Sequence, residues 1–139
     1  MRVEPYLYFN GRCEEAVEFY RRAVGAEITV LARFKDNPGV PAPAGAADKV
    51  MHAALKIGDT TVLASDGQGE GTPSFKGFSL SLTADRDSEA DRMFAALSDG
   101  GKVQLPLTST PFASRFGMVA DRFGVLWIIA AHEERAASA

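Results

Sequence analysis

The 139-residue sequence is poor in the residues that build metal and redox centres. It contains one cysteine, Cys13, and two histidines, His52 and His132. A single cysteine excludes an intrachain disulfide and a CxxC site. No glycine-rich loop of the kind that binds a nucleotide or methyl-donor cofactor follows the first predicted strand. The cysteine content is typical of a reducing compartment, so we expect a cytoplasmic protein with an inert thiol.

Long apolar runs and an excess of basic residues are also missing. No apolar stretch approaches the roughly 18 residues of a membrane span, and the opening MRVEPYLYF lacks the segments of a signal peptide. The formal net charge is −3 and the isoelectric point is about 5.4. These values argue against a membrane protein and against a nucleic-acid partner, which favours a basic surface.

Hydrophobic residues make up 46% of the chain and charged residues 24%, which is typical of a globular protein. In the first half, periodicity and turn residues predict a strand at 3–9, a helix at 13–25, a strand at 26–34 and a hairpin around Gly58-Asp59. In the second half they predict a strand at 75–83, a helix at 88–101 with Ser88 as its N-cap, and strands at 102–109, 114–121 and 125–131.

The two halves therefore share one order of elements. Phe19 precedes Gly25 by the same interval that Phe94 precedes Gly100. We interpret the chain as one domain of two βαβββ modules, at 1–66 and 75–132, and as an α+β protein with a mixed sheet. The proline-rich segment 35–49 is predicted to be a loop that serves as a lid, contacts a partner or is mobile.

Three segments carry a family resemblance: PYLYFNGRCEEAVEFYRRAVGAE, DKVMHAALKIGDTTVLASD and RFGMVADRFGVLWII. They resemble the PhnB-like group of the vicinal-oxygen-chelate superfamily, which includes glyoxalase I, bleomycin-resistance proteins and extradiol dioxygenases. The resemblance implies a cup-shaped mixed sheet with helices on its outer face. It also implies a homodimer, with the cup as the binding site.

In metal-dependent members of this superfamily, histidine and glutamate side chains in the cup hold a divalent cation. The corresponding positions here are Pro5, the stretch from Gly77 to Ser79, and Ile128. None of these residues supplies an imidazole or a carboxylate. We therefore expect no metal and no cofactor.

His52 interrupts the apolar segment VMHAALKIGD at 50–59. Strand alternation places it with Val50, Ala54 and Lys56, opposite Met51, Ala53, Leu55 and Ile57. If its face lines the cup, the imidazole can hydrogen-bond a ligand or act as a general base. Otherwise it bonds a neighbouring strand or the dimer partner.

No catalytic residue is assigned from the sequence. The ligand-pocket candidates are Pro5, Leu7, His52, Ser79, Phe112 and Ile128. Aromatic residues that also suit an apolar cup are Tyr6, Tyr8, Phe9 and Trp127, although alternation sends about half of such residues to the core. Asp66 and Asp121 are expected to cap turns.

Three functions are compatible with these observations. The first is a metal-free homodimer that binds a small, partly apolar molecule in its cup. The second is a glyoxalase- or dioxygenase-type enzyme whose metal uses His52 with Glu4 or Glu27. The third is a non-catalytic interaction domain that contacts a protein through the 35–49 loop.

Overall fold

The computed structural model describes residues 1–69 and 71–133, and the chain divides into two compact units, 1–73 and 74–139. The elements of the first unit are β1 (Tyr6–Tyr8), α1 (Cys13–Val24), β2 (Glu27–Arg33), β3 (Val50–Ile57) and β4 (Thr60–Ser65). Those of the second unit are β5 (Leu80–Ala84), α2 (Asp87–Ser98), β6 (Lys102–Thr110), β7 (Ala113–Ala120) and β8 (Leu126–Ala131). The predicted α+β class and the order of strands and helices in both halves are confirmed.

Each unit contains one open, four-stranded mixed sheet. The strand order is β1-β4-β3-β2 in the first unit and β5-β8-β7-β6 in the second. In both sheets the first strand runs parallel to its neighbour, and the other pairings are antiparallel. The parallel strand reaches its place through a connection that contains the helix, as a βαβ connection requires.

Helix α1 forms where the sequence predicts it, because its apolar residues recur at helical spacing. Glu14 and Glu15 lie in the first turn and Arg21 and Arg22 in the last, which the helix dipole favours. Gly25 ends the helix in the left-handed conformation, at φ 70°. The buried side of α1 packs against β2, β3 and β4. None of the helices within 1–69 and 71–133 is long and apolar enough to span a membrane.

The 35–49 segment is a loop, as predicted, and its two ends are tied together. Phe34 N donates to Lys49 O at 3.2 Å, and Lys35 N donates to Ala47 O at 2.9 Å. A single 3-10 turn, Phe34–Asp36, follows β2 directly. These bonds close the segment into a compact loop between β2 and β3.

Two predicted strands are shorter than expected. Strand 3–9 reduces to Tyr6–Tyr8, and strand 75–83 is replaced by Leu80–Ala84. In the second case, Gly77 adopts φ 87° within a turn, so the chain cannot continue as a strand until after it.

The predicted N-cap of the second helix is wrong. Helix α2 begins at Asp87, one residue before Ser88, and Arg86 occupies the cap position without a side-chain bond. Asp87 N instead donates to Glu133 Oε2 at 2.7 Å, from the segment that follows β8. The predicted cap residue Ser88 therefore lies inside the helix, and a residue 46 positions away satisfies the first N–H group of α2.

Gly117 allows a close approach between β7 and its neighbours. A Cβ atom at this position would lie 2.8 Å from Phe94 Cε2 and 2.9 Å from Leu107 Cα. We expect Gly117→Ala to lower the free energy of unfolding by about 1–3 kcal/mol, because the β6 backbone must move to admit the methyl group. Urea denaturation followed by circular dichroism measures this loss.

Gly39→Ala is the matched control for this substitution. No heavy atom lies within 4 Å of a Cβ at Gly39, and its φ is outside the left-handed region. We expect no measurable loss of stability there. Equal stability of the two variants would contradict the close approach at Gly117.

Candidate functional site

The first sheet has one covered and one uncovered face. Leu7, Ala64 and Ala53 pair across β1, β4 and β3, and each is at most 3% exposed. Paired residues project to the same side of a sheet, so this row forms the core beneath α1. The alternate residues of the same strands project to the other side.

That other side is called the open face here, and it carries Tyr6, Tyr8, Val30, His52, Ala54 and Leu63. Tyr6 pairs with Leu63, Leu63 with Ala54, and Ala54 with Val30, so one row crosses all four strands. Tyr6 is 37% exposed, Tyr8 48% and Val30 44%. The face is therefore accessible at Tyr6, Tyr8 and Val30, whereas Ala54 in the middle of the row is only 7% exposed.

Two tyrosines and a histidine form a cluster at one end of the open face. The rings of Tyr6 and Tyr8 stack, with centroids 5.1 Å apart and an interplanar angle of 21°. Tyr6 Oη lies 2.8 Å from His52 Nδ1, and the two rings are tilted at 5.6 Å. The cluster thus presents a stacked aromatic platform and an imidazole with one nitrogen already engaged.

Tyr6 stays protonated at neutral pH. Partial burial raises the pKa of this phenol above its usual value, and the neighbouring Tyr8 raises it further. The neutral phenol keeps its O–H and can donate a hydrogen bond. The cluster therefore supplies polar groups for binding without carrying a negative charge.

The predicted pocket residues of the first unit are not all on this face. His52 lies on it, beside Tyr6. Pro5 is half-buried just before β1, and its carbonyl accepts a hydrogen bond from Leu63 N. Leu7 lies in the core on the opposite side of the sheet.

The remaining candidates lie in the second unit. Ile128 is half-buried and pairs with Ser81 and Met118, on the side of the sheet opposite the fully buried Ile129. Ser79 is half-buried and precedes β5. Phe112 occupies the turn between β6 and β7, is 64% exposed and packs edge-on against Phe116 at 5.2 Å.

A small cavity lies beside Phe112. Its volume is about 350 Å³, and its polar lining includes Ser114, His132 and Glu133. His132 is exposed, as its polar surroundings in the sequence predict, and its Nδ1 lies 3.1 Å from Phe112 O. Ser114 donates to Asp87 and accepts from Glu133 N, so this hydroxyl is already engaged in holding the end of β8 to α2.

The ligand set considered for a metal enzyme does not come together. In the described part of the chain, no three His, Cys, Asp or Glu side chains are placed to hold a metal ion. Glu4 pairs with Arg2 at 3.8 Å, and Glu27 lies opposite Lys56. His52 therefore has neither carboxylate as an evident partner.

Charged residues around the 35–49 loop form ion pairs that hold it in place. They line a cavity of about 440 Å³. Arg33 Nη2 bonds Glu14 Oε2 at 2.5 Å and holds the pKa of that carboxyl below its usual range. Lys35 bonds Asp48 at 2.9 Å and lowers its pKa in the same way. The first ion pair links the end of β2 to α1, and the second closes the loop on itself.

Cys13 is fully buried at the start of α1. Burial raises the pKa of its thiol strongly, and the adjacent Asp66 carboxylate adds to the effect. A thiol that stays protonated is a poor nucleophile. This agrees with the inert role that the sequence indicates.

Tyr6 and Tyr8 are the functional candidates that the site prediction did not include, although they were noted as aromatic residues suited to a cup. The signal for them is an aromatic pair at i and i+2 in a predicted strand. The sequence could not choose between this pair and Pro5 with Leu7, since both alternate sets are apolar. Phe9 and Trp127, considered with them, are each 2% exposed and belong to the core.

Comparison with known proteins gives the family. The model of the family described as 3-demethylubiquinone-9 3-methyltransferase matches residues 1–130. The chain belongs to this family. Protein PA1353 of Pseudomonas aeruginosa is 41% identical, with a TM-score of 0.86 over 96% of this chain and 99% of that one. The PhnB protein of Bacillus cereus, which carries the same methyltransferase description, is 28% identical, with a TM-score of 0.77 over 94% and 99%.

A more distant likeness concerns the fold. A glyoxylase/bleomycin resistance protein/dioxygenase domain of Frankia sp. EAN1pec superposes with a TM-score of 0.67 over 95% of both chains, at 14% identity. The predicted resemblance to the PhnB-like group and to the fold of this superfamily is confirmed. The family's description names a methyl transfer, but the residues after β1, FNGR at 9–12, do not form a glycine-rich loop.

Proposed function

We propose that this protein binds a small, partly apolar organic molecule on the open face of its first sheet, without a metal ion. The observation that carries the proposal is the exposed Tyr6–Tyr8 stack with His52 bonded to it. Ligand sites are usually lined by apolar and aromatic side chains, with a few well-placed polar groups. Binding without chemistry would sequester the molecule.

Ligand titration of the ¹⁵N-labelled full-length chain tests this proposal. A panel of small aromatic and aliphatic compounds, including naphthalene and cyclohexanone, would be followed by amide chemical shifts. We expect saturable shifts confined to the strands of the first sheet, β1 to β4. Tyr8→Ala should weaken binding at least about tenfold, because it removes the accessible ring of the stack.

Phe78→Ala is the matched control. Phe78 is 44% exposed, similar to Tyr8, but lies in the second unit outside the open face. We expect it to leave binding unchanged. Equal losses in both variants, or no saturable shifts with any compound, would contradict binding at the open face.

We further propose that the protein is a homodimer. The second sheet ends in β6, where Val103 and Leu105 are 42% and 41% exposed, and Pro106 and the irregular register blunt the strand edge. Apolar side chains on such a strand favour packing against a second copy over extension of the sheet. Native mass spectrometry, with elemental analysis of protein purified without chelator, should show a metal-free dimer. A monomeric mass would contradict the proposed homodimer, and near-stoichiometric metal would contradict binding without a metal ion.

A further inference from the structure

We propose that the ligand of the open face is an uncharged, flat aromatic molecule that carries a carbonyl group, and that Tyr6 prepares His52 to donate a hydrogen bond to that carbonyl. This inference rests on the proposed function and names its ligand class. It follows from three features of the open face: the hydrogen bond within the cluster, the outer side of the tyrosine stack and the balance of charge.

The hydrogen bond between Tyr6 and His52 determines which imidazole nitrogen is free. Tyr6 Oη and His52 Nδ1 are 2.8 Å apart. A phenol is a good donor, and an unprotonated imidazole nitrogen is a good acceptor. In the favoured arrangement Tyr6 donates to Nδ1, so the proton of the neutral ring resides on Nε2. In the described part of the chain, Nε2 has no protein acceptor, so it is free to donate to a ligand.

The stack determines the shape of the ligand. Tyr8 covers one side of Tyr6, and its own ring is among the most exposed aromatic surfaces of the first unit. A third flat ring can continue an offset stack of this kind at a centroid distance of about 4.5–7 Å. Val30 and Leu63, in the row that starts at Tyr6, provide an aliphatic surface beside it.

The charges on this face favour an uncharged ligand. Lys56 alternates with Ala54 and His52 and so projects to the open face, and Glu27 lies directly opposite it. Opposite charges at paired positions offset each other. Among the described residues of this face, the one cation, Lys56, is thus balanced by Glu27, which leaves little attraction for a carboxylate or phosphate. The Nε2–H group suits a neutral carbonyl oxygen.

The state of His52 can be measured without any ligand. Long-range ¹H–¹⁵N NMR of the full-length protein near pH 8 distinguishes imidazoles protonated at Nε2 from those protonated at Nδ1. We expect the Nε2–H form for His52. His132 is the internal control, since its Nδ1 faces the carbonyl of Phe112, which can only accept, and must therefore carry the proton. An Nδ1–H form of His52 would overturn the inference.

Matched ligands test the recognition itself. The probes are 2-acetylnaphthalene, 2-isopropylnaphthalene, which has the same shape without the acceptor, and cyclohexyl methyl ketone, which keeps the carbonyl without an aromatic ring. We expect the acetyl compound to bind at least about tenfold more tightly than either of the others, because one hydrogen bond is worth about this factor. His52→Phe should abolish the preference over the isopropyl compound while leaving aromatic binding.

The possible failures are distinguishable. If the acetyl and isopropyl compounds bind the open face equally well, the inference is overturned and the proposed function stands. If none of the probes shifts the amides of β1 to β4, both are overturned. The NMR assignment of His52 in the unaltered protein does not depend on whether the His52→Phe variant folds.

Discussion

Asp66→Ala is expected to lower the free energy of unfolding by about 3–5 kcal/mol. Asp66 is 5% exposed, and its carboxylate accepts three backbone hydrogen bonds. Oδ1 accepts from Gly11 N at 2.6 Å and from Cys13 N at 2.9 Å, and Oδ2 accepts from Val50 N at 2.9 Å. One side chain thereby joins the start of α1, the start of β3 and the end of β4. Alanine would leave all three N–H groups without their acceptor.

Urea denaturation followed by circular dichroism measures the loss in the free energy of unfolding. Hydrogen exchange reports the loss of protection at individual amides. We expect the amides of Gly11, Cys13 and Val50 to exchange faster in the variant. The stability of Asp66→Asn should lie between those of the unaltered protein and Asp66→Ala. An amide offers one acceptor oxygen and places an NH₂ group against the remaining backbone donors.

Asp48→Ala is the matched control for Asp66→Ala. Asp48 forms an ion pair with Lys35, but its side chain is 84% exposed. Exposed ion pairs contribute little, so we expect almost no change. A variant at Asp66 as stable as the one at Asp48 would show that the three backbone groups find other partners.

Asp121→Ala is expected to cost about 2–4 kcal/mol in the second unit. Asp121 is 3% exposed and lies in the turn between β7 and β8. Its Oδ1 accepts from Phe123 N at 2.8 Å and Val125 N at 3.1 Å, which shapes the turn. Its Oδ2 accepts from Trp127 Nε1 at 2.9 Å, which fixes the indole in the core.

The effect of Asp121→Ala can be measured by fluorescence, because Trp127 is the only tryptophan of the chain. We expect Asp121→Ala to change the native fluorescence as well as the stability. A double-mutant cycle with Trp127→Phe isolates the bond between the two side chains, with an expected coupling of about 1–3 kcal/mol. Zero coupling together with an unchanged emission spectrum would contradict the role of Asp121 as the indole's acceptor.

The sequence predicted α1 well because the information for a helix is local. Apolar spacing, acidic and basic ends and a terminal glycine all lie within Cys13–Gly25. The start of α2 was misplaced by one residue, and the N–H group of Asp87 finds its acceptor on Glu133, 46 positions away in the segment after β8. A hydrogen-bond partner from a distant segment cannot be predicted from the residues near the helix.

The site was predicted only in part, because its contacts also join distant segments of the chain. The segment PYLYF at 5–9 is apolar at every position, so alternation could not say whether Leu7 or Tyr6 and Tyr8 turn away from α1. The structure places Leu7 in the core and the tyrosines on the open face. His52 was recognised because a polar residue in an apolar strand stands out, whereas its bond to Tyr6, 46 residues away, could not be predicted.

The sequence by itself determined the family and the repeated order of elements. Those features depend on residue identity and on spacing within short segments. Only the tertiary structure decided which side of each strand α1 and α2 cover, and which backbone groups Asp66 and Asp121 hold. These depend on pairing between strands distant in the sequence, where a shift of one residue exchanges the two faces of a sheet.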